Sequence, residues 1–294
     1  MEKRQTCDLA GIWRFEIDKE DRGFAEHWEK RRLTQTITLP GCLQAQGYGD
    51  AISKDTPWVQ SLYDALWYQR GEYAYAQENG TKVPFLSQPP RHYTGKAWYQ
   101  KTVFVPEKSD GFVGRLTLEN TKWKTTLWID GECKGSIVSL CAPHVYDTGA
   151  LSAGEHIVTL CIDNGWQLPY RPDGHGVSDA LGATWNGVAG AITLELFSGI
   201  WIERVLVNAQ LPKAAIQVHL KNETSHTQNC IVRVQDIART DISAKMICAL
   251  TPGSHICELT LNYPSDTLLW DEFDQGLQHL IVTLSSISNA LQGE

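Results

Sequence analysis

Apolar residues recur at every second position along most of this chain. Trp13, Phe15 and Ile17 alternate with polar neighbours, as do Ile37 and Leu39, and Leu116 and Leu118. Leu127 and Ile129 run into Asp130-Gly131, a pair that closes hairpins because both residues tolerate positive φ. The same period continues through 156–162, 191–196, 200–207, 215–220, 230–234, 255–261 and 279–284. Period-2 alternation places one face of a strand on a core and the other in water. Residues 23–33 are the best helical candidate, and they are short and highly charged. The pattern predicts an all-β protein of sandwich type, with turn signals at sandwich spacing. A domain boundary is expected between residues 209 and 210, giving a first domain over 1–209 and a second, immunoglobulin-sized sandwich over 210–294.

Three segments break the alternation. Residues 173–190 read D-G-H-G-V-S-D-A-L-G-A-T-W-N-G-V-A-G, too polar and glycine-rich for a strand or a helix core. Residues 39–50 and 56–68 are similarly irregular, and the latter gathers Trp58, Tyr63, Trp67 and Tyr68 beside Asp64. Long loops are costly to order unless they line a site. An indole face beside carboxylate and amide groups suits a sugar, which has an apolar face and a rim of hydroxyls. The sugar-facing candidates are therefore His175, Asp179, Trp185, Asn186, Trp58, Tyr63 and Asp64. The competing reading is that these aromatics plug the end of a sandwich and the glycines turn the chain.

Composition narrows the function classes. The chain has 294 residues, 42% hydrophobic and 20% charged, with a net charge of −8. That excess of carboxylates argues against nucleic acid and against an anionic membrane surface as partners. No apolar run is long enough to span a bilayer. The N-terminal M-E-K-R-Q-T-C-D-L-A-G has basic residues and no apolar stretch, so it does not read as a signal peptide, and the chain as it stands reads as cytoplasmic. The eight cysteines form no C-x-x-C and no zinc spacing with histidine. They read as free thiols, with a disulfide among Cys230, Cys248 and Cys257 as the other reading. No metal and no cofactor is expected.

Catalytic motifs are scarce. Asp271-Glu272 offers two carboxyl groups, but adjacent strand residues point to opposite faces. Ser178-Asp179 near His175 resembles a triad fragment without the G-x-S-x-G elbow. There is no dinucleotide fingerprint and no phosphate loop.

Taken in order, several segments resemble glycoside hydrolase family 2, the β-galactosidase, β-glucuronidase and β-mannosidase family. They are Leu9–Asp18 (L-A-G-I-W-R-F-E-I-D), the Leu39-Pro40-Gly41 turn, and Thr56-Pro57-Trp58 with Tyr63-Asp64 and Trp67. They continue with Tyr93–Pro106 (Y-T-G-K-A-W-Y-Q-K-T-V-F-V-P), Leu127–Gly131 (L-W-I-D-G), Val145–Leu151 (V-Y-D-T-G-A-L) and Trp185–Gly190 (W-N-G-V-A-G). Ile202–Val207 (I-E-R-V-L-V), Leu269–Phe273 (L-W-D-E-F) and Gly276–Leu280 complete the series. The A-W-Y-x-K and W-D-E-F segments are the most specific.

The resemblance implies a galactose-binding-like jelly roll followed by an immunoglobulin-like sandwich. In the family these precede a (β/α)₈ barrel that supplies two catalytic glutamates for retaining hydrolysis. No such barrel is readable here, so no catalytic residue is assigned and no turnover is expected of this chain alone. The resemblance implies a scaffold that packs on a barrel and lends a loop to its sugar pocket. Its partners would be weakly bound carbohydrate and a barrel or another chain. That partner would cover apolar area around Trp58, Trp67 and Tyr68 and around Trp270 and Phe273. A stand-alone carbohydrate-binding module and a purely structural interaction module are the alternative readings.

Overall fold

A computed structural model of the chain describes residues 4–53, 56, 90–167 and 184–287. The chain divides into two compact units, Gln5–Leu196 and a second running from Phe197 onward together with Arg4.

The first unit contains β1 (Arg4–Asp8), β2 (Gly11–Asp18), β3 (Gln35–Leu39), β4 (Gly41–Cys42), β5 (Lys96–Val105) and β6 (Phe112–Leu118). It continues with β7 (Lys124–Ile129), β8 (Glu132–Val138), β9 (His144–Leu151), β10 (Gly154–Asp163), β11 (Gly187–Val188) and β12 (Ile192–Phe197). One sheet has the order β3-β2-β5-β10-β7-β8 and the other β1-β12-β6-β9. The alternating residues of both sheets meet in one core, with Trp13, Phe15, Tyr99, Val103, Leu127, Leu160 and Ile162 from the six-stranded sheet. Leu116, Leu118, Tyr146, Leu151, Ile192 and Leu194 come from the four-stranded one. The period-2 pattern thus reads directly as a β-sandwich.

The six-stranded sheet is also covered on its other face. Trp98 and Trp128 stack at 5.0 Å between ring centroids, and Leu33, Cys161 and half-buried Trp28 join them. Residues 23–33, the best helical candidate of an otherwise all-β pattern, contribute Trp28 and Leu33 to this layer. That segment forms turns and a single 3₁₀ turn at Trp28–Lys30, with His27 at φ 53° in the left-handed region. Asp18 determines this outcome: its carboxylate accepts the N–H groups of Arg22 and Gly23 at 2.8 Å and the Trp98 indole N–H at 3.1 Å. A local side-chain acceptor competes with helical hydrogen bonding, and the aromatic layer rewards the turn. Gly23 is required because a Cβ there would run into the Trp98 ring.

The Asp130-Gly131 turn forms as expected, with Asp130 at φ 52°. Asp130 Oδ1 accepts the Ile157 N–H at 2.7 Å, and Oδ2 lies 2.6 Å from His156 Nδ1. Burial works against the His156 imidazolium, but the Ser152 carbonyl and the Asp130 carboxylate outweigh it and raise its pKa above the ordinary 6.5. The stability from this pair is complete below the unfolded-state value near 6.5 and is lost as pH rises through the elevated folded value. Asp130→Asn, which keeps the left-handed turn and the Ile157 bond, should therefore cost up to about 1 kcal/mol at mildly acidic pH, Asp130 being half exposed. The gap should narrow as pH rises. Denaturant titrations of both proteins across this range check it, and a gap that widens with pH would contradict the assignment.

The second unit comprises β13 (Ile200–Gln210), β14 (Lys213–Asn222), β15 (Gln228–Asp236), β16 (Ser243–Leu250), β17 (Gly253–Asn262) and β18 (Leu280–Ser286). Sheets β13-β14-β17 and β16-β15-β18 face each other across Ile216, Val218, Val232, Val234, Leu250 and Leu259. Pairing of β13 with β14 runs from Ile200↔Asn222 to Gln210↔Lys213. The boundary expected at 209/210 thus falls inside a hairpin, and the second unit begins at Phe197. All eight cysteines are free thiols, with Cys161, Cys230 and Cys257 buried.

Between β17 and β18 a tight turn is capped by Asp271, whose Oδ1 accepts the N–H groups of Phe273 at 2.8 Å and Asp274 at 2.6 Å. The Asp271 carboxyl is held below its ordinary value by those two N–H donors. This is turn chemistry rather than acid–base chemistry, and it holds Trp270 and Phe273 outward, 60% and 87% exposed. Leu268, Leu269 and Leu277 on the same loop are also exposed. No helix among the described residues is long and apolar enough to cross a membrane.

Candidate functional site

Two long inserts leave the first sandwich at one end. The first departs after Asp50 and returns at His92, and the two stems are joined by paired backbone hydrogen bonds of 2.8 and 2.9 Å. The second departs after β10 and returns at Thr184. Its stems are joined side chain to side chain, with Asn164 Nδ2 donating to Thr184 Oγ1 at 3.2 Å.

A buried polar network ties these stems together. Asn164 Nδ2 also donates to the Tyr93 carbonyl at 3.0 Å, and its Oδ1 accepts the Gly95 N–H at 3.0 Å. Gln44 Nε2 donates to the same Tyr93 carbonyl at 3.3 Å, and Gln44 Oε1 accepts the Asn186 N–H at 3.1 Å. The hub is Asn186. Its Oδ1 accepts the Tyr99 hydroxyl at 2.7 Å, and its Nδ2 donates to the carbonyls of Gly95 at 3.0 Å and Ile162 at 2.9 Å. Burial pushes the Tyr99 hydroxyl well above its ordinary pKa, so it stays a proton donor to Asn186. Such a network is stabilising because each member is satisfied. The next residue must be glycine: Gly187 has φ +140°, and a Cβ there would collide with the Gly41 carbonyl oxygen across the β4–β11 pair.

This geometry corrects one expectation. Asn186 has no exposed surface and its amide is fully engaged inside the protein, so it anchors the loop and cannot face a sugar. Thr184 is likewise buried and points inward. Trp185, between them, is half-buried and remains at the surface of this end. Trp166, on the other stem, is also half-buried and stands edge-on to the buried Trp123, 4.9 Å between centroids. His175, Asp179, Trp58, Tyr63 and Asp64, with Trp67 and Tyr68, lie outside the described residues. Sequence reasoning missed Gln44, Tyr93, Tyr99 and Asn164, because no local pattern marks a side chain whose partner is 87 residues away, as Tyr99 is from Asn186. Among the described residues no three His, Cys, Asp or Glu side chains converge on a metal site.

No family model matches the chain. A curated β-glucuronidase of Paenibacillus borealis is 24% identical over 225 residues, which is 71% of this chain and 32% of that protein. Among solved structures, Ruminococcus gnavus β-glucuronidase, in complex with a C6-substituted uronic isofagomine, aligns over 97% of this chain and 43% of its own. The TM-score is 0.62 and the identity 16%. A calcium-binding mutant of Bacteroides uniformis β-glucuronidase 2 aligns over 97% of this chain and 31% of its own, with a TM-score of 0.67 and 15% identity. The resemblance to glycoside hydrolase family 2 drawn from the motifs is thus met by both the sequence relative and the folds. The chain spans about a third of the curated relative it matches.

Proposed function

We propose that this chain is the non-catalytic double-sandwich portion of a family-2 glycosidase of β-glucuronidase rather than β-galactosidase kind. On this reading the first unit is the family's jelly roll and the second its immunoglobulin-like sandwich. The hydrolytic carboxylates belong to the remaining length of such enzymes. The observation that carries the reading is that both inserts spring from one end of the first sandwich, the first with its stems paired through backbone hydrogen bonds and the second with its stems held in a buried side-chain network. That end is a rigid base from which loops reach a sugar, with Trp185 at its rim. A rigid scaffold is how binding loops keep their geometry. The exposed Trp270–Phe273 turn of the second sandwich is, on the same reading, a docking element for a catalytic domain.

Binding of a free sugar by this portion alone should be weak, because half of the pocket lies elsewhere. A dissociation constant in the millimolar range, about −4 kcal/mol, is expected for glucuronate. Ligand-observed NMR should register it, and Trp185→Ala should remove the signal without unfolding the protein. Micromolar affinity would favour the stand-alone carbohydrate-binding module instead.

A further inference from the structure

A second polar surface lies on the first sandwich, and the described sugar-facing end does not use it. Strands β2 and β5 pair only from Arg14↔Gln100 to Asp18↔Lys96. Beyond that, β2 follows β3 to Gly11 and β5 follows β10 to Val105. The two strands splay and open a groove of about 680 Å³, within the size range of small-molecule sites. Arg14, Lys30, Arg31, Arg32 and Lys101 line it, against one carboxylate, Glu29. Glu29 is itself buried and is approached by His27 Nδ1 at 3.0 Å.

This concentration of cations occurs in a chain of net charge −8. Only Arg31 is neutralised, by a two-pronged pair with Glu16 at 2.9 and 2.6 Å, and its guanidinium lies 4.3 Å over the Trp28 ring. The other four have no carboxylate partner among the described residues. Arg14 donates to the Leu33 carbonyl at 3.1 Å, and Lys101 Nζ to the carbonyls of Ala10 at 3.1 Å and Ile12 at 3.3 Å. Burial also pulls the Lys101 ammonium below its ordinary pKa, by more than the Asp8 carboxylate raises it. The exposed Thr36 and Thr102 add hydroxyl groups, exposed Ile12 and Ile157 form apolar rims, and the buried Gln100 amide is taken up by the Leu33 N–H and the Arg31 carbonyl.

We infer that this groove binds an oligosaccharide carrying repeated negative charge, as uronate or sulfate. The inference rests on the carbohydrate reading above and adds a second contact point for an acidic glycan chain. Exposed threonine hydroxyls interleaved with cations that have no carboxylate partner among the described residues match a sugar backbone with spaced anions. Nucleic acid is a poorer fit, since no aromatic side chain among the described residues lines the groove for base stacking.

The test titrates the intact chain with hexagalacturonate, with its methyl ester, with a heparin-derived hexasaccharide and with an oligothymidylate of equal charge. Calorimetry at low and physiological salt reads each. Binding of at least one charged glycan is expected, weakened by salt and lost on methyl esterification. Comparison of the two charged glycans distinguishes carboxylate from sulfate. The exposed double variant Lys30→Glu/Arg32→Glu should weaken binding by about tenfold or more, equivalent to ~1.4 kcal/mol or more, with an unchanged melting profile. Failure of both charged glycans, equal binding of the ester or of oligothymidylate, or an indifferent double variant would each overturn the groove assignment. If glucuronate still reports on Trp185 in those cases, the function proposed above stands without the groove.

Discussion

Replacing Asn186 by alanine is expected to destabilise the first sandwich by about 3–5 kcal/mol, since each buried polar partner left unmatched costs ~1–3 kcal/mol. Three groups lose a bond to the amide: the Tyr99 hydroxyl and the carbonyls of Gly95 and Ile162, the Gly95 carbonyl keeping the longer 3.3 Å bond from the Asn164 N–H. A unit of this size shifts its melting temperature by roughly 2–4 °C per kcal/mol, so a fall of about 6–20 °C is expected. Tyr99→Phe keeps the ring in the core and removes only the donor to Asn186 Oδ1, so it should cost about 1–2 kcal/mol. The double variant should cost less than the sum, because both substitutions sever the same bond. Thermal melts with a denaturant series measure all three. An Asn186→Ala protein as stable as the parent would mean the amide is not a structural anchor and would return it to the ligand-facing candidates.

The second large effect concerns the Trp270–Phe273 turn. The Asp271 cap holds two aromatic side chains and three leucines in solvent, an arrangement that monomeric surfaces rarely tolerate without a partner. The isolated chain should self-associate at high concentration and bind a hydrophobic dye. Trp270→Ser with Phe273→Ser should relieve both without changing the melting temperature, since neither ring belongs to the core of the second unit. Sedimentation velocity and dye fluorescence measure this. A parent protein that stays monomeric and dark to the dye would show that the turn is not an interface.

These residues also mark how far the sequence could be read. The strands were legible because half-buried sheets impose period 2, which Trp13 and Phe15 obey and which ends at the partly buried Ile17 and the buried Asp18. The turns over residues 23–33 were not, because the decisive acceptor, Asp18, lies outside the segment. The inward, structural role of Asn186 was not legible. Adjacent residues leaving a strand face opposite ways, and only the position of Tyr99 decides that the amide turns inward and the indole outward. The exposure of Trp270 and Phe273 was anticipated from the resemblance, and the reason for it, the Asp271 cap, required coordinates. The basic groove was invisible to composition because a net charge averages over the molecule. The run Lys30-Arg31-Arg32 was its only local trace.

The central claim is that this portion holds sugar-facing loops in place and performs no hydrolysis itself. Purified chain incubated with an aryl β-glucuronide tests it most directly, because binding contacts without positioned carboxylates do not cleave a glycosidic bond at useful rates. The prediction is release of phenol at the buffer rate at every protein concentration. Turnover that follows the protein through purification and disappears when one of its own carboxylates is replaced would contradict it.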